Sequence, residues 1–208
     1  MKRKTVKRII IVLLIIAIFS AWGVGFYTVN SQSDKQVVKI YNTGDTVAIG
    51  DNFCQTANED NEGYEFTVKG GTVKTTEQFL KDNGKEPDYL HKLNPKGFVP
   101  SYVYLLEVKV RNVGNTNEKG FSLVGMPLVT SNLQLQVHDA MFDILYPKLA
   151  GFYGFAVRPD TEMIMYLPYA ATKSIDKYCN YDYLTSEQFS FVISWFPEEI
   201  RIKVETSV

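Results

Sequence analysis

The 208-residue sequence carries 22 lysine and arginine residues against 23 aspartate and glutamate residues, for a formal net charge of -1. Five of the basic residues lie within the first eight positions, so the remainder is mildly acidic and lacks the basic face that binds nucleic acid. Aromatic residues make up 13% of the chain and leucine-rich heptads are missing, which favours β-sheet over a helical bundle.

An uncharged stretch at positions 9–27, IIIVLLIIAIFSAWGVGFY, follows the basic stub. As a helix it has the length needed to cross a hydrocarbon core of about 30 Å. Basic residues on its N-terminal side favour a cytoplasmic N-terminus. We therefore predict a cytoplasmic stub at 1–8, a transmembrane signal anchor at 9–27, a short polar tether at 28–36 and an extracytoplasmic domain at 37–208.

A cleaved signal peptide is the alternative for this stretch, and it would release the domain as a secreted protein. Ala21 and Gly23 flank Trp22 in a small-x-small pattern that a signal peptidase recognises. However, the apolar run exceeds the usual 7–15 residues or so of a signal peptide, and Trp22 and Tyr27 lie where an outer aromatic belt is expected. These features favour a retained anchor.

Alternation of apolar and polar residues predicts strands along the rest of the chain. The clearest is Tyr102–Asn112, whose apolar residues alternate with Glu107, Lys109 and Arg111. Such a strand has one buried face and belongs near the centre of a sheet. Further strands are predicted at 37–41, 46–49, 64–69, 121–129, 132–138, 161–168, 188–195 and 200–205.

Two short helices interrupt these strands in the prediction. Thr75 and Gln78 resemble a capping box for a helix at 75–83, and Asp139 is a candidate cap for a helix that ends before Pro147. Seven to nine strands with repeated turn clusters and one or two short helices predict a mainly β domain, an antiparallel two-layer β-sandwich. A barrel is the alternative.

A series of motifs extends through the predicted domain. It contains Gly-Asp at 50–51, Tyr-Glu-Phe-Thr-Val at 64–68, Leu-Glu-Val-Lys-Val-Arg-Asn-Val-Gly at 106–114, Val-Arg-Pro-Asp-Thr-Glu at 157–162 and Leu-Pro-Tyr at 167–169. Together with the basic stub and apolar helix, this order resembles the telokin-like, immunoglobulin-like domains of unknown function on Gram-positive surface proteins. The resemblance implies an immunoglobulin-like sandwich on a cell surface, without an established activity.

Two cysteines, Cys54 and Cys179, fall in the predicted extracytoplasmic domain, where oxidation is permitted. They are candidates for a disulfide, and two buried thiols are the alternative. Trp195 follows both cysteines, which departs from the Cys-Trp-Cys order of immunoglobulins proper. The histidines, His91 and His138, have no partners at metal-ligand spacing, so we predict no metal site there.

Motifs for catalysis are missing from the sequence, including Gly-x-Ser-x-Gly, a phosphate loop and His-Glu-x-x-His. We therefore predict that the protein is not an enzyme and takes neither a cofactor nor a small-molecule substrate. Glu59, Asp60 and Glu62 suggest calcium, but they lack the EF-hand order, and a solvated turn is the favoured interpretation.

Tyrosines concentrate between two predicted strands near the C-terminus, and three of them are candidates for partner binding: Tyr178, Tyr181 and Tyr183. Tyrosine supplies rigid amphipathic contact area for a protein or glycan at the cell surface, and packing over the domain edge is the alternative. The sequence therefore predicts a non-catalytic interaction module. A structural or accessory subunit of a membrane or envelope complex is the alternative, and a surface hydrolase is less favoured.

Overall fold

The computed structural model describes residues 2–32, 36–151 and 154–207. The chain divides into a first compact unit that ends at Gln36 and a second that begins at Val37. The first unit contains one helix, α1, Lys2–Gln32. This helix is longer than the predicted 9–27 stretch at both ends, because the basic stub and the start of the predicted tether are also helical. The tether residues at 33–35 lie outside the described residues.

Helix α1 is long and apolar enough to span a membrane. Its most apolar window, Ile11–Thr28, has a mean hydropathy of 2.2, and its described apolar side chains are exposed on all sides. An apolar surface all round a helix is unfavourable in water. Near the end of the helix, Thr28 Oγ1 donates to Val24 O and Asn30 Nδ2 donates to Phe26 O, so polar side chains at and just beyond the end of the apolar window bond to the helix backbone.

The second unit is mainly β and contains, in its described residues, twelve strands and four short α-helices. The strands are β1 Val37–Tyr41, β2 Thr46–Ala48, β3 Tyr64–Thr75, β4 Tyr102–Asn112, β5 Phe121–Ser122, β6 Leu128–Val129, β7 Gln134–Val137, β8 Gly154–Phe155, β9 Glu162–Ala170, β10 Phe189–Ser194, β11 Glu198–Val204 and β12 Thr206–Ser207. The helices are α2 Thr76–Asp82, α3 Tyr89–Leu93, α4 Asp139–Leu145 and α5 Tyr181–Ser186, with 3₁₀ turns at Pro147–Leu149 and Asp176–Tyr178.

The predicted counts of seven to nine strands and one or two helices are therefore too low. The predicted strand at 121–129 is two separate strands, β5 and β6, because the chain turns at Gly125 between them. Helices α3 and α5 have only five and six residues, which is too short for a helical period to stand out in a sequence.

Ten strands form one sheet in the order β1-β11-β10-β6-β7-β9-β4-β3-β12, with β2 also paired to β3, while β5 and β8 form a separate pair. The sheet is mixed, because β1 runs parallel to β11 and β12 runs parallel to β3. The prediction of a purely antiparallel sheet is wrong for these two pairs. Both join segments far apart in the chain, and alternation within a strand carries no information about its distant neighbours.

The sheet folds back on itself, so that β10 faces β3 and β4 across the core. Phe191 on β10 lies 6.2 Å from Phe66 on β3, and Phe189 lies 4.9 Å from Tyr104 on β4, measured between ring centroids. All four rings are fully buried. These aromatic contacts, at separations where tilted and edge-to-face rings attract, hold the two parts of the sheet together.

Strand β4 has the predicted bounds, and its predicted inward face is buried from Tyr104 to Val110. The opposite face is not simply solvated, because Val103 is buried beneath α2, α3 and α4. It belongs to a second apolar cluster with Phe79, Leu80, Leu90 and Met141. The predicted helix at 75–83 is confirmed as α2, and the Thr75 side chain caps it by accepting a hydrogen bond from the Gln78 amide at 3.1 Å.

Asn112 joins the end of β4 to the segment before β9. Its buried side chain donates to Val157 O at 2.7 Å and to Asn115 O at 2.8 Å, and it accepts from the Asn115 amide at 2.8 Å. The Asn-x-Gly motif therefore has a structural role, because it satisfies backbone groups at the point where the chain leaves the sheet.

We expect Asn112→Ala to lower the free energy of unfolding by about 2–4 kcal/mol, because three hydrogen bonds are lost and buried backbone groups stay unpaired. Urea unfolding of the full-length chain in mild detergent measures this change. The matched control is Asn132→Ala at an exposed site, for which we expect a change within about 0.5 kcal/mol. Equal effects of the two substitutions would contradict the role assigned to Asn112.

Candidate binding groove

A groove of about 440 Å³ lies between α3 with its following loop, the β7–α4 junction and the end of β9. Most of its lining is apolar. The lining residues are Leu90, Leu93, Asn94, Gly97, Phe98, Gln136, Val137, His138, Asp139, Ala140, Ala170, Ala171, Thr172 and Lys173. A concave, mainly apolar site with a few polar groups is the usual form of a ligand or partner site.

Two large apolar side chains remain exposed beside this groove. Leu90 fixes α3 to the buried cluster over β4, whereas Leu93 at the end of the helix is 56% exposed and Phe98 in the following loop is 36% exposed. Both side chains line the groove. Because both line one concavity, they form one exposed apolar surface rather than two isolated exposed residues.

His138 supplies a polar group to the groove. Its amide donates to Pro168 O, and its carbonyl accepts from the Met141 and Phe142 amides, so the residue forms the N-cap of α4. The predicted cap at Asp139 is therefore one position too late. The buried Nδ1 atom has no hydrogen-bond partner within the described part of the chain.

The protonation of His138 is set by its surroundings. Burial lowers the pKa of the His138 imidazole, and this effect outweighs the neighbouring Asp139 carboxylate, which raises it. The ring is accordingly neutral at pH 7. The sequence placed His138 on a polar strand face; in the structure it is half-buried in the groove.

Lys173 and Asp139 are the charged residues in the groove lining. Lys173 lies on the exposed loop after β9 and takes part in none of the ion pairs formed by the described residues. Its ammonium group is therefore available to a carboxylate on a bound partner.

A second hollow of about 250 Å³ extends the groove along β7. It is lined by Leu123, Val124, Gln136, Val137 and Asp139, of which the last three also line the first groove. The two hollows therefore share the end of β7, and the apolar surface continues from α3 to the segment between β5 and β6.

The predicted tyrosine site separates into two parts. Tyr178 and Tyr181 are exposed, with Lys177 Nζ 4.7 Å from the Tyr178 ring centroid and Tyr102 6.4 Å from the Tyr181 ring. Tyr183 packs against the core, and its hydroxyl lies 3.3 Å from that of Thr130. The first two are placed for contact, whereas the third is a packing residue. The loop that leads to Tyr178 also contributes Lys173 to the groove.

Cys54 and Cys179 are both buried and both free thiols in the structure, so the disulfide that the sequence left open is not formed here. Cys54 Sγ donates to Ile193 O at 3.2 Å. Burial, with a smaller contribution from Glu59, raises the pKa of the Cys54 thiol to about 12. Since the thiolate is the reactive form, Cys54 is an inert core residue in this state.

The acidic loop at 58–63 is organised around Glu59. Its carboxylate accepts hydrogen bonds from the amides of Cys54, Gln55 and Thr56 at 2.7–3.0 Å and from Asn61 Nδ2. Burial alone would raise the pKa of Glu59, but these hydrogen bonds lower it. Within residues 2–32, 36–151 and 154–207, no three His, Cys, Asp or Glu side chains are grouped as a metal site. Glu59 instead fixes the conformation of the loop.

We expect His138 to make the fold less stable as the pH falls below about 6.5, the ordinary histidine value. Below that pH the unfolded chain binds a proton that folded His138 resists, so the free energy of unfolding decreases. His138→Gln should therefore reduce the loss of stability between about pH 7 and pH 5.5, measured by urea unfolding of the full-length chain. The control, His91→Gln at an exposed position on α3, should retain the wild-type pH dependence, and an unchanged pH profile in His138→Gln would contradict the assignment.

Comparison with known families agrees with the domain boundary at the start of β1. Residues 38–200 match the family described as Domain of unknown function (DUF5028). No curated protein and no solved structure matches the chain. The match covers all of β1 except Val37, strands β2 to β10, part of β11 and the whole groove, so the chain belongs to the DUF5028 family.

Proposed function

We propose that this protein is a non-catalytic, membrane-anchored interaction module whose β domain lies outside the cytoplasm and binds a segment of a partner protein in the groove. The observation that carries the proposal is the apolar groove with Leu93 and Phe98 exposed beside it. Exposed apolar groups at a concavity lose contact with water when a partner covers them, which favours association.

The location outside the cytoplasm is supported by α1 and the basic residues at its start. Five lysine and arginine residues precede the apolar stretch, and the positive-inside rule places such a flank in the cytoplasm. The domain would then lie on the opposite side of the membrane. Cleavage of α1 as a leader would release the same domain as a secreted protein.

The composition of the groove favours a protein partner over a glycan. Its lining is mostly apolar, with Lys173 available at the rim, so it suits apolar side chains next to a carboxylate. Tyr178 and Tyr181 on the neighbouring segment supply additional amphipathic contact area. The partner is therefore a protein segment that carries apolar residues and a carboxylate that lies at Lys173 and away from Asp139.

We further propose that the domain is a telokin-like, immunoglobulin-like sandwich of a Gram-positive cell-surface protein. Support comes from the contacts of β10 with β3 and β4, and from the Asn-x-Gly motif at the end of β4. In this domain the facing layers belong to one continuous, mixed sheet, whereas an immunoglobulin sandwich has two separate antiparallel sheets.

Protease added to intact cells should digest the domain, because the proposed orientation exposes it outside the membrane. Immunoblotting against a C-terminal tag, with a cytoplasmic protein as the control, measures the digestion. Protection of the domain in intact cells, followed by digestion after lysis, would contradict the orientation. Release of the domain into the medium with a new N-terminus near residue 24 would show that the anchor is cleaved.

Photocrosslinking in the cells that make the protein tests the groove. With a benzoylphenylalanine in place of Phe98 in the full-length chain, we expect a covalent adduct with a protein. Leu93→Asp should lower its yield about tenfold or more, since this change removes an apolar contact. Lys173→Glu should also lower the yield, because it would repel an acidic partner.

The same photoreactive residue at Ile164, which is 51% exposed on β9, is the control. The proposal is contradicted if positions 98 and 164 give the same adducts, or if neither Leu93→Asp nor Lys173→Glu changes the yield. The identity of the adduct separates two roles: a membrane protein would indicate an accessory subunit of a membrane complex, and a soluble protein a surface interaction module.

A further inference from the structure

Strand β1 has one free edge. It is the last strand in the sheet order, and within the described residues it pairs with β11 alone. A free strand edge presents unpaired backbone N–H and C=O groups, and another extended chain is the partner that satisfies them in register. This edge therefore selects for a β-strand and not for a small molecule or a helix.

Two of the usual protections of an edge strand, a proline and a β-bulge, are missing from β1. Its sequence, VVKIY, has no proline, and its pairing with β11 contains no bulge. Val37, Val38 and Ile40 are 51%, 47% and 56% exposed. The single charge that would discourage pairing, on Lys39, is already bound to Glu198 at 2.6 Å. An exposed and largely apolar edge, whose one charge is neutralised, is a template for pairing with another strand.

The two faces of β1 differ in what surrounds them. Tyr41 packs against the core, so Lys39 lies on the core side of the strand while Val38 and Ile40 face away from it. On that outer face their neighbours on β11 are Glu199 and Arg201, which form an ion pair with each other. The outer surface along the edge is therefore apolar, and it lies next to an ion pair that has no net charge.

We propose that β1 pairs antiparallel with β1 of a second copy of this chain, with Lys39 and its bound Glu198 at the two-fold axis. In this register Val38 lies opposite Ile40 of the second copy on the outer face, and Val37 lies opposite Tyr41. Large apolar residues therefore meet on both sides of the axis, and such cross-strand pairs stabilise a sheet. The sequence of β1 is complementary to itself about Lys39, as a two-fold symmetric interface requires.

The two Lys39 side chains meet at the axis, where like charges would ordinarily oppose pairing. Each of them is held by its own Glu198, so the axis carries two lysines and two glutamates with no net charge. This balance removes the repulsion that two unpaired lysines would cause, so the apolar pairs on either side of the axis can form. The inference concerns a different surface from the groove and does not depend on the proposed function.

Disulfide crosslinking of the full-length chain in membranes tests the register. One tagged chain carries Val38→Cys and a differently tagged chain carries Ile40→Cys. Residues opposite each other in an antiparallel pair have Cα atoms about 4.5–5.5 Å apart, which a disulfide spans. We expect the mixed dimer, joined between position 38 of one chain and position 40 of the other, to be the main oxidised product. Its yield should be about tenfold above that of the Ile164→Cys control.

A second variant checks that the product depends on the edge. Lys39→Cys combined with Glu198→Gln should crosslink to itself, because the residue lies on the two-fold axis and no unpaired glutamate is left there. Adding Ile40→Lys should lower its yield about tenfold, since a charge then replaces an apolar pair. The native Cys54 and Cys179 are buried, and their replacement by serine in parallel excludes their participation.

Three results would overturn the proposal. The first is a mixed 38-to-40 crosslink whose yield is no higher than that of the Ile164→Cys control. The second is a 38-to-38 crosslink that exceeds the mixed product, which would show a parallel arrangement such as association through α1 alone. The third is a crosslink from position 38 to a different protein in place of a second copy, which would show that another strand occupies the edge.

Discussion

The burial of one face of β4 along most of its length, and of the other face at Val103, is the constraint on which the rest of the domain depends. On one face Tyr104 contacts Phe189 and closes the core, and on the other Val103 lies beneath the helices. On its two edges the strand pairs with β3 and β9 along almost its whole length. A strand enclosed in this way cannot slip in register without exposing apolar side chains on one face and burying charged ones on the other.

The helical cover over β4 also creates the groove. Leu90 holds α3 against this cover, but α3 has only five residues, and the following loop returns to the sheet past two prolines, Pro95 and Pro100. This short helix and its loop lie across a gap from the end of β7 and the start of α4. The space that remains is the apolar groove, so the features that stabilise β4 leave Leu93 and Phe98 at the surface.

The sequence predicted what depends on local periodicity. The bounds of β4, the helix α2 with its Thr75 cap, and the apolar helix at the N-terminus follow from spacing within one segment. The parallel pairs and the fold-back of the sheet do not, because they depend on contacts between distant segments. Phe66, for example, meets Phe191 through the fold alone.

The candidate site was predicted only in part, for the same reason. The clustering of Tyr178, Tyr181 and Tyr183 led to a binding role that stays a prediction, whereas Lys173 and Phe98, which line the groove, have no local pattern that marks them. His138 was assigned to a polar strand face, since alternation does not reveal that the loop after α3 covers that face.

The pairing of β1 with β11 makes the fold of the domain independent of whether α1 is retained. The first and one of the last strands of the domain lie side by side, so removal of β1 would expose the edge of β11, where Ile200 and Ile202 are buried. A leader cleaved near residue 24 would leave β1, which begins at Val37, intact. The domain can therefore keep the same fold with or without α1. What α1 would change is concentration, because confinement to a membrane raises the effective concentration of neighbouring copies and partners. The proposed contacts at the groove and at the five-residue edge would both gain from that confinement, which gives a physical reason for the proposed membrane anchor.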